Sequence, residues 1–379
     1  MTARPTRIAI LLSYSGDGGV ERMINHLIAG LLAAGHPVDV LVLKTRGGHF
    51  RDLPVDARVV RLGTEHAAFA LPALVRYLRR ERPPVLLAAK DRAARLALHA
   101  RRVARVPTRV VLRLGNTLSR SLARHGPVKR WLRLGPIRRL YPHADALIAV
   151  SRGVADDIVD LAPVDPARVH VVANPVVTPA LYRQAQTCPD HAWLGRPGQP
   201  VVLAVGRLAP QKDFPTLLRA FAELRAQGAD ARLIILGEGE ERQRLTTLAA
   251  ELGIADFVDL AGFRADAPAW LAAADLFVLS SAWEGSPNAL TEALALGTPV
   301  VATDCPSGPS EILHGGEVAP LVAVGDAAAM ARAMRDTLQH PPPSATLRAA
   351  VADHDRDRST RAYLDILTAD LPSTTDAAC

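Results

Sequence analysis

Two carboxylates eight positions apart, Glu284 and Glu292, bound the segment EGSPNALTE (284–292). Upstream, in VGRLAPQKDF (205–214), Arg207 and Lys212 follow an apolar run that ends at Gly206. A guanidinium grips two oxygens in its fork and an ammonium supplies a point charge, so the two beside a glycine suit a diphosphate. Ser286 reads as a helix N-cap, Pro287 as the first helical residue and Gly297 as the stop. Glu284 and Gly285 then lie in the loop before that helix, with Glu292 about a turn and a half inside it. The helix start offers N–H groups at Asn288, Ala289 and Leu290 to a phosphate. Acids so placed do not share one bond. Each can take hydroxyls on one side of a diphosphate, and a sugar–diphosphate–nucleoside carries hydroxyls on both. Either acid alone would read as an ordinary surface residue.

A second glycine-rich stretch, SYSGDGGVER (13–22), follows the first apolar run. Its Gly16 and Gly18 begin a dinucleotide fingerprint, but Glu21 stands where the third glycine belongs, which disfavours a nicotinamide cofactor. Gly18 and Gly19 still allow close backbone approach to a ligand, and the helix start behind them favours an anion.

These residues need strand ends to hold them. Apolar runs at 7–14, 37–43, 57–62, 85–88, 109–114 and 145–150 alternate with amphipathic segments such as 20–35. There Met23, Leu27, Leu31 and Ala34 keep the 3.6-residue period, and Gly35 ends the pattern. Residues 183–199 are polar, proline-bearing and aperiodic, and read as a linker. Strands at 201–206, 231–237, 257–262, 275–281 and 299–303 then alternate with helices at 214–227, 240–252 and 287–296. The expected architecture is α/β, with two Rossmann-like doubly wound domains facing across a cleft, at 1–182 and 200–358. A helix over 359–369 could cross back to the first domain, and 370–379 reads as a flexible tail. Such sheets bind ligands at the carboxyl ends of their strands.

The 379 residues fit two domains, and 49% apolar content fills two cores. Cys188, Cys305 and Cys379 match no metal or disulfide framework, so a reducing, cytoplasmic compartment is expected. The run IAILL is too short for a signal peptide, and no stretch reaches 18 consecutive apolar residues. Charge divides by halves: residues 1–190 carry 30 Lys+Arg against 14 Asp+Glu, and residues 191–379 carry 15 against 24. The cationic first half points to an anionic partner.

Taken together, VGRLAPQKDF and SSAWEGSPNALTEALALGTPVVATD resemble the donor-binding signature of glycosyltransferase family 4, whose members are retaining enzymes of the GT-B fold. SGDGGVER resembles the family's N-terminal glycine loop, and the likeness runs from about residue 7 to residue 340. It implies that Arg207 and Lys212 neutralise the donor diphosphate, Glu292 holds the ribose hydroxyls and Glu284 meets the transferred sugar. It also implies that the backbone near Gly262 and Phe263 meets the base, and that Gly18 and Gly19 lie near the diphosphate and acceptor. NALTEALALGTPVVATDCPSGPSEIL further resembles a bacterial subgroup that adds hexoses or N-acetylhexosamines to lipid-linked oligosaccharides and surface polysaccharides, with a UDP-sugar as donor. No cofactor or metal is implied, the nucleotide-sugar being a substrate. The family's histidine after the strand matching 109–114 is replaced by Gly115 and Asn116, and His99 and His125 do not fit that position.

A glycosidase also uses two carboxylates but needs no cationic clamp for a diphosphate. A sugar-nucleotide epimerase or hydrolase on the same fold is the nearer rival. The spaced aspartates of DHDRD (353–357) read as a solvated charge run rather than a metal site. Residues 119–143 and 74–82 interleave Arg and Lys with Leu, Trp131 and Tyr141, which suits peripheral contact with an anionic membrane, at its inner face for a cytoplasmic enzyme. Nucleic-acid binding would also use such charge, but aromatics are only 4% and no nucleic-acid module is recognisable.

Overall fold

Strand residues here are apolar without alternation because each sheet is covered on both faces. In the first strand Ile8, Ile10 and Leu12 enter one core, and Ala9 and Leu11 enter the other. The computed structural model describes residues 5–15, 19–46, 48–63, 69–123, 126–196, 198–369 and 371. The chain divides into two compact units: residues 1–175 with 356–379, and residues 176–355.

The sheet of the first unit contains β1 (Ile8–Ser15), β2 (Val38–Arg46), β3 (Arg58–Arg61), β4 (Val85–Ala89), β5 (Arg109–Leu114), β6 (Ala146–Ala149) and β7 (Val169–Val171). Their order is β3-β2-β1-β4-β5-β6-β7, and every pairing is parallel. The second unit contains β8 (Val201–Val205), β9 (Arg232–Leu236), β10 (Val258–Gly262), β11 (Leu276–Leu279), β12 (Val300–Thr303) and β13 (Leu321–Val322). Their order is β10-β9-β8-β11-β12-β13, again all parallel. In both sheets the order reverses beside the first strand, between β1 and β4 and between β8 and β11. Doubly wound sheets bind ligands at such a switch point.

The eleven strand segments read from sequence all form strands, while β7 and β13 escaped the reading. They have three and two residues and lie at sheet edges, too short to show a hydrophobic run. The helix Arg356–Thr368 belongs to the first unit, where it lies against the helix Gly19–Ala33. The approach is so close that a Cβ on Gly30 would stand 2.1 Å from the Thr360 hydroxyl. Ser359 anchors it by donating to the Ala173 carbonyl at 2.6 Å.

Residues 183–199, expected as a linker, form part of the second unit instead. Their first three residues end the helix Pro179–Ala185, and Trp193 and Leu194 pack on the core. His191 pairs with Asp259 at 3.2 Å and stacks edge-on against Trp193 and Trp270. A polar, proline-bearing composition disguised these few apolar anchors. The chain passes between units at 175/176 and 355/356. Of the tail expected at 370–379, only Leu371 lies among the described residues.

Candidate active site

In the second unit, β8 delivers Gly206 and Arg207 to one side of the switch point, and β11 delivers the loop 280–287 to the other. A 3-10 turn, Pro210–Lys212, follows Arg207, and Asp213 then takes a left-handed φ of 44° before the helix Phe214–Ala226. This turn sends Lys212 back across Gly206. A Cβ on Gly206 would come within 2.9–3.1 Å of the Lys212 stem, so glycine is required for the lysine to lie there. The lysine then donates to Glu284 Oε1 at 2.5 Å.

Glu284 is held from several directions. The Ser281 hydroxyl donates to Oε1 at 2.7 Å, and Gln211 Nε2 reaches Oε2 at 3.5 Å. The same Gln211 amide donates to the Trp283 carbonyl at 2.9 Å, and Ala282 N–H donates to the Gln211 carbonyl at 2.8 Å. Ser280 donates to the Lys212 carbonyl at 2.7 Å. The turn after β8 and the loop after β11 are therefore stitched together by side chain and backbone. Glu284 is 6% exposed. A carboxylate that buried needs such partners, because stranding it costs several kcal/mol. Cys305 lies nearby; burial and then the Glu284 charge push its thiol up to about 12, so it stays protonated at neutral pH.

Glu292 is 2% exposed, inside the helix Asn288–Leu296. That helix begins one residue later than the sequence reading placed it. Pro287 occupies the N-cap position, with no side-chain cap, and Ser286 does not cap it. The reason is ψ: the proline φ of −76° suits a helix, but the extended ψ of 99° keeps Pro287 out of it. Thr291 donates the first helical bond, to the Pro287 carbonyl at 3.1 Å. The N–H groups of Asn288, Ala289 and Leu290 thus precede the ladder. The buried Ser286 hydroxyl has no hydrogen-bond partner among the described residues. Gly297 closes the helix with a left-handed φ of 84°.

Arg207 is exposed and makes no ion pair or hydrogen bond with the described residues, unlike Lys212. Gly262 ends β10 with φ 77°, and Phe263 beside it is 50% exposed. The sequence reading missed Gly237 and Gly239 in GEG after β9. A Cβ on Gly237 would stand 1.9 Å from the Gly206 carbonyl, and one on Gly239 would stand 2.2 Å from the Leu208 carbonyl. It also missed Gly308, whose Cβ would press on Gly285 and Pro287 at 2.8 Å. Paired glycines at a strand end were the available signal.

In the first unit Gly18 lies outside the described residues, and Gly19 opens the helix Gly19–Ala33. Glu21 of that helix was read only as a departure from a motif. It is 3% exposed and accepts from Lys90 Nζ at 2.6 Å. Lys90 follows β4 with φ 79°, rare for a side-chain-bearing residue, and its ammonium also approaches the Ser13 carbonyl at 3.3 Å. This switch point too therefore carries a Lys–Glu pair with a buried glutamate.

Two parallel α/β units, with cations and a capped acid at the carboxyl edge of the second, define a GT-B glycosyltransferase. Residues 18–175 match a family model described as "Glycosyl transferase 4-like domain", and residues 199–340 match "Glycosyl transferases group 1". The lipopolysaccharide core biosynthesis glycosyltransferase LpsE of Rhizobium meliloti is 30% identical over 93% of this chain and 97% of its own. The chain belongs to this glycosyltransferase family. A Campylobacter jejuni enzyme is 32% identical over 54% of this chain and 53% of its own length. Its name is N-acetylgalactosamine-N,N'-diacetylbacillosaminyl-diphospho-undecaprenol 4-alpha-N-acetylgalactosaminyltransferase. The structure of Anabaena Alr3699/HepE in complex with UDP superposes with a TM-score of 0.75 at 21% identity, covering 96% of this chain and 100% of that one.

Proposed function

We propose that the protein transfers a hexose or N-acetylhexosamine from a UDP-sugar to a lipid-linked or cell-surface glycan acceptor, with retention at the anomeric carbon. The relative from Rhizobium meliloti acts in lipopolysaccharide core biosynthesis, and the one from Campylobacter jejuni acts on a diphospho-undecaprenol-linked sugar. The supporting observation is the stitched edge of the second unit, where the turn after β8, which carries Arg207 and Lys212, is bonded through Lys212 and Gln211 to Glu284 in the loop that leads into the helix Asn288–Leu296.

Arg207 and Lys212 take the diphosphate, together with the N–H groups of Asn288, Ala289 and Leu290 and the hydroxyl of Ser286. Lys212 has three N–H donors and uses one on Glu284, so it can hold a phosphate oxygen and the acid at once. Glu284 and Gly285 meet the sugar, Glu292 meets the ribose, and Gly262 and Phe263 flank the base. In the reaction the bond from the anomeric carbon to the phosphate oxygen breaks, and the acceptor hydroxyl oxygen bonds to that carbon on the same face. The hydroxyl proton passes to the departing diphosphate, whose growing negative charge the two cations and the helix start stabilise. The proposal assigns no metal or other cofactor to the site.

The protein is further assigned to the inner face of the cell membrane through the helix Pro127–Leu140, with no role in binding nucleic acid. Val128 and Trp131 are each 72% exposed and Leu132 59%, among Lys129, Arg130 and Arg133. No helix of the described residues is long and apolar enough to cross a membrane.

The test is a transfer assay over UDP-, GDP- and ADP-sugars with lipid-linked acceptor present and absent, repeated with a chelator. Transfer from a UDP-sugar that depends on acceptor and resists chelation supports the proposal. Release of nucleotide without a glycosylated acceptor would favour the hydrolase or epimerase reading.

A further inference from the structure

At the amino-terminal edge of the first unit's sheet, opposite its glycine loop, lies a cavity of about 1060 Å³. Its walls are the last turn of the helix Asp91–Ala104, the residues entering β5, β6 and β7, and Ala369 and Leu371 beyond the helix Arg356–Thr368. Five arginines line it, Arg101, Arg102, Arg105, Arg109 and Arg168, against one carboxylate, Asp145. Asp145 is already committed, since its Oδ2 accepts from the Arg101 guanidinium and from Val110 N–H, the latter at 2.6 Å. Arg101 also donates to the His143 carbonyl.

Helix carbonyls attract cations at a carboxyl terminus, and one or two basic residues there need no further explanation. Arg101 meets that need. Arg102 and Arg105 are exposed, and their side chains make no hydrogen bond or ion pair with the described residues. His99 and His170 on the same wall are likewise unpaired among the described residues. Thr108 also lines the cavity; it is 2% exposed and its hydroxyl has no hydrogen-bond partner among the described residues. A buried hydroxyl without a partner is uncommon in a folded protein, because leaving it unbonded costs free energy. Concave space, uncompensated guanidinium charge and an unused hydroxyl together fit one ligand chemistry.

We propose that this cavity binds a ligand bearing two or more phosphoryl charges, with Arg102 and Arg105 as the charge-recognising residues and Thr108 as a positioning hydroxyl. The phosphoryl group can come from a free phosphorylated sugar or nucleotide or from a lipid headgroup, and the two sources share this chemistry. The site lies in the first unit and does not depend on the donor assignment in the second.

The test uses the full chain carrying Arg207→Ala and Lys212→Ala, which silences the assigned donor site, and titrates it with inorganic pyrophosphate. Arg102→Ala with Arg105→Gly is then added to the same background. Arg105 caps its helix with a left-handed φ of 53°, where glycine is at ease, so its replacement does not strain the fold. The added pair should weaken pyrophosphate binding about tenfold or more, with an unchanged melting temperature. A parallel arm sediments the chain with cardiolipin-containing vesicles, whose headgroup carries two phosphodiester charges, and with phosphatidylcholine vesicles. Loss of pyrophosphate binding assigns a soluble ligand, and loss of cardiolipin binding alone assigns a headgroup. If the added pair alters neither, or if Thr108→Val and the pair together leave both unchanged in a folded chain, the proposal is wrong.

Discussion

Both switch points carry a glutamate buried against a lysine, and the two pairs are built differently. In the second unit Lys212 and Glu284 meet at 2.5 Å inside a mesh that includes Ser281, Gln211 and Ser280. In the first unit Lys90 and Glu21 meet at 2.6 Å with the Ser13 carbonyl as the lysine's other contact among the described residues, and Lys90 bears an unusual φ of 79°. The second-unit pair rests on Gly206, which opens room for the lysine stem. The first-unit pair is reached by a strained backbone instead. A group embedded in a mesh is positioned for reaction, whereas a bare ion pair mainly locks the start of a helix against a strand end.

The largest separation between the two pairs should appear on breaking them. Lys212→Ala should lower kcat by a factor of about 10² to 10³, since one preorganised donor is worth roughly 2.7–4 kcal/mol of barrier. Steady-state turnover of a UDP-sugar measures this, and a value near wild type would remove Lys212 from the chemistry.

Acid should distinguish the first unit next. His26, on the same helix as Glu21, donates through Nδ1 to the Pro175 carbonyl at 3.0 Å. Burial first, and then the Arg22 charge, lower its pKa to about 4. The unfolded chain binds the proton more readily, so the stability held by the neutral ring is complete above about pH 6.5 and is lost as pH falls toward 4. Its full size is up to about 3 kcal/mol at 1.36 kcal/mol for each pKa unit. Urea unfolding at pH 7 and pH 4.5 should show His26→Gln with a smaller pH-dependent loss than wild type.

Lys90→Met should then destabilise the first unit by about 2 kcal/mol, less than a fully buried pair because the lysine side chain is partly exposed. Adding Glu21→Gln should restore part of that loss. Calorimetric melting of the single and double variants reads the coupling. The smallest stability effect belongs to Arg207→Ala, within about 0.5 kcal/mol because the side chain is exposed and unpaired. Donor affinity should nonetheless fall about tenfold in an equilibrium titration with UDP.

The second-unit site was legible because its residues are close in sequence. Arg207 and Lys212 lie five apart and Glu284 and Glu292 eight apart, so local spacing alone placed them on a strand end and a helix start. That Lys212 and Glu284 bond each other was not legible, since 72 residues separate them and only the parallel β8–β11 pairing brings them together. Lys90 and Glu21 were missed for the same reason, 69 residues apart, with no glycine beside Lys90 to draw notice. The long parallel strands were readable as apolar runs. The edge strands β7 and β13 gain pairing on one side only and need no such run. The polar 183–199 segment misled because its burial depends on a few residues, Trp193 and Leu194 chief among them.

A crystal structure of the protein with a bound UDP-sugar tests the donor assignment most directly. The expected result is the diphosphate between Arg207 and Lys212 at the start of the helix Asn288–Leu296, the ribose on Glu292 and the sugar toward Glu284. A donor bound with its diphosphate away from both cations would contradict it.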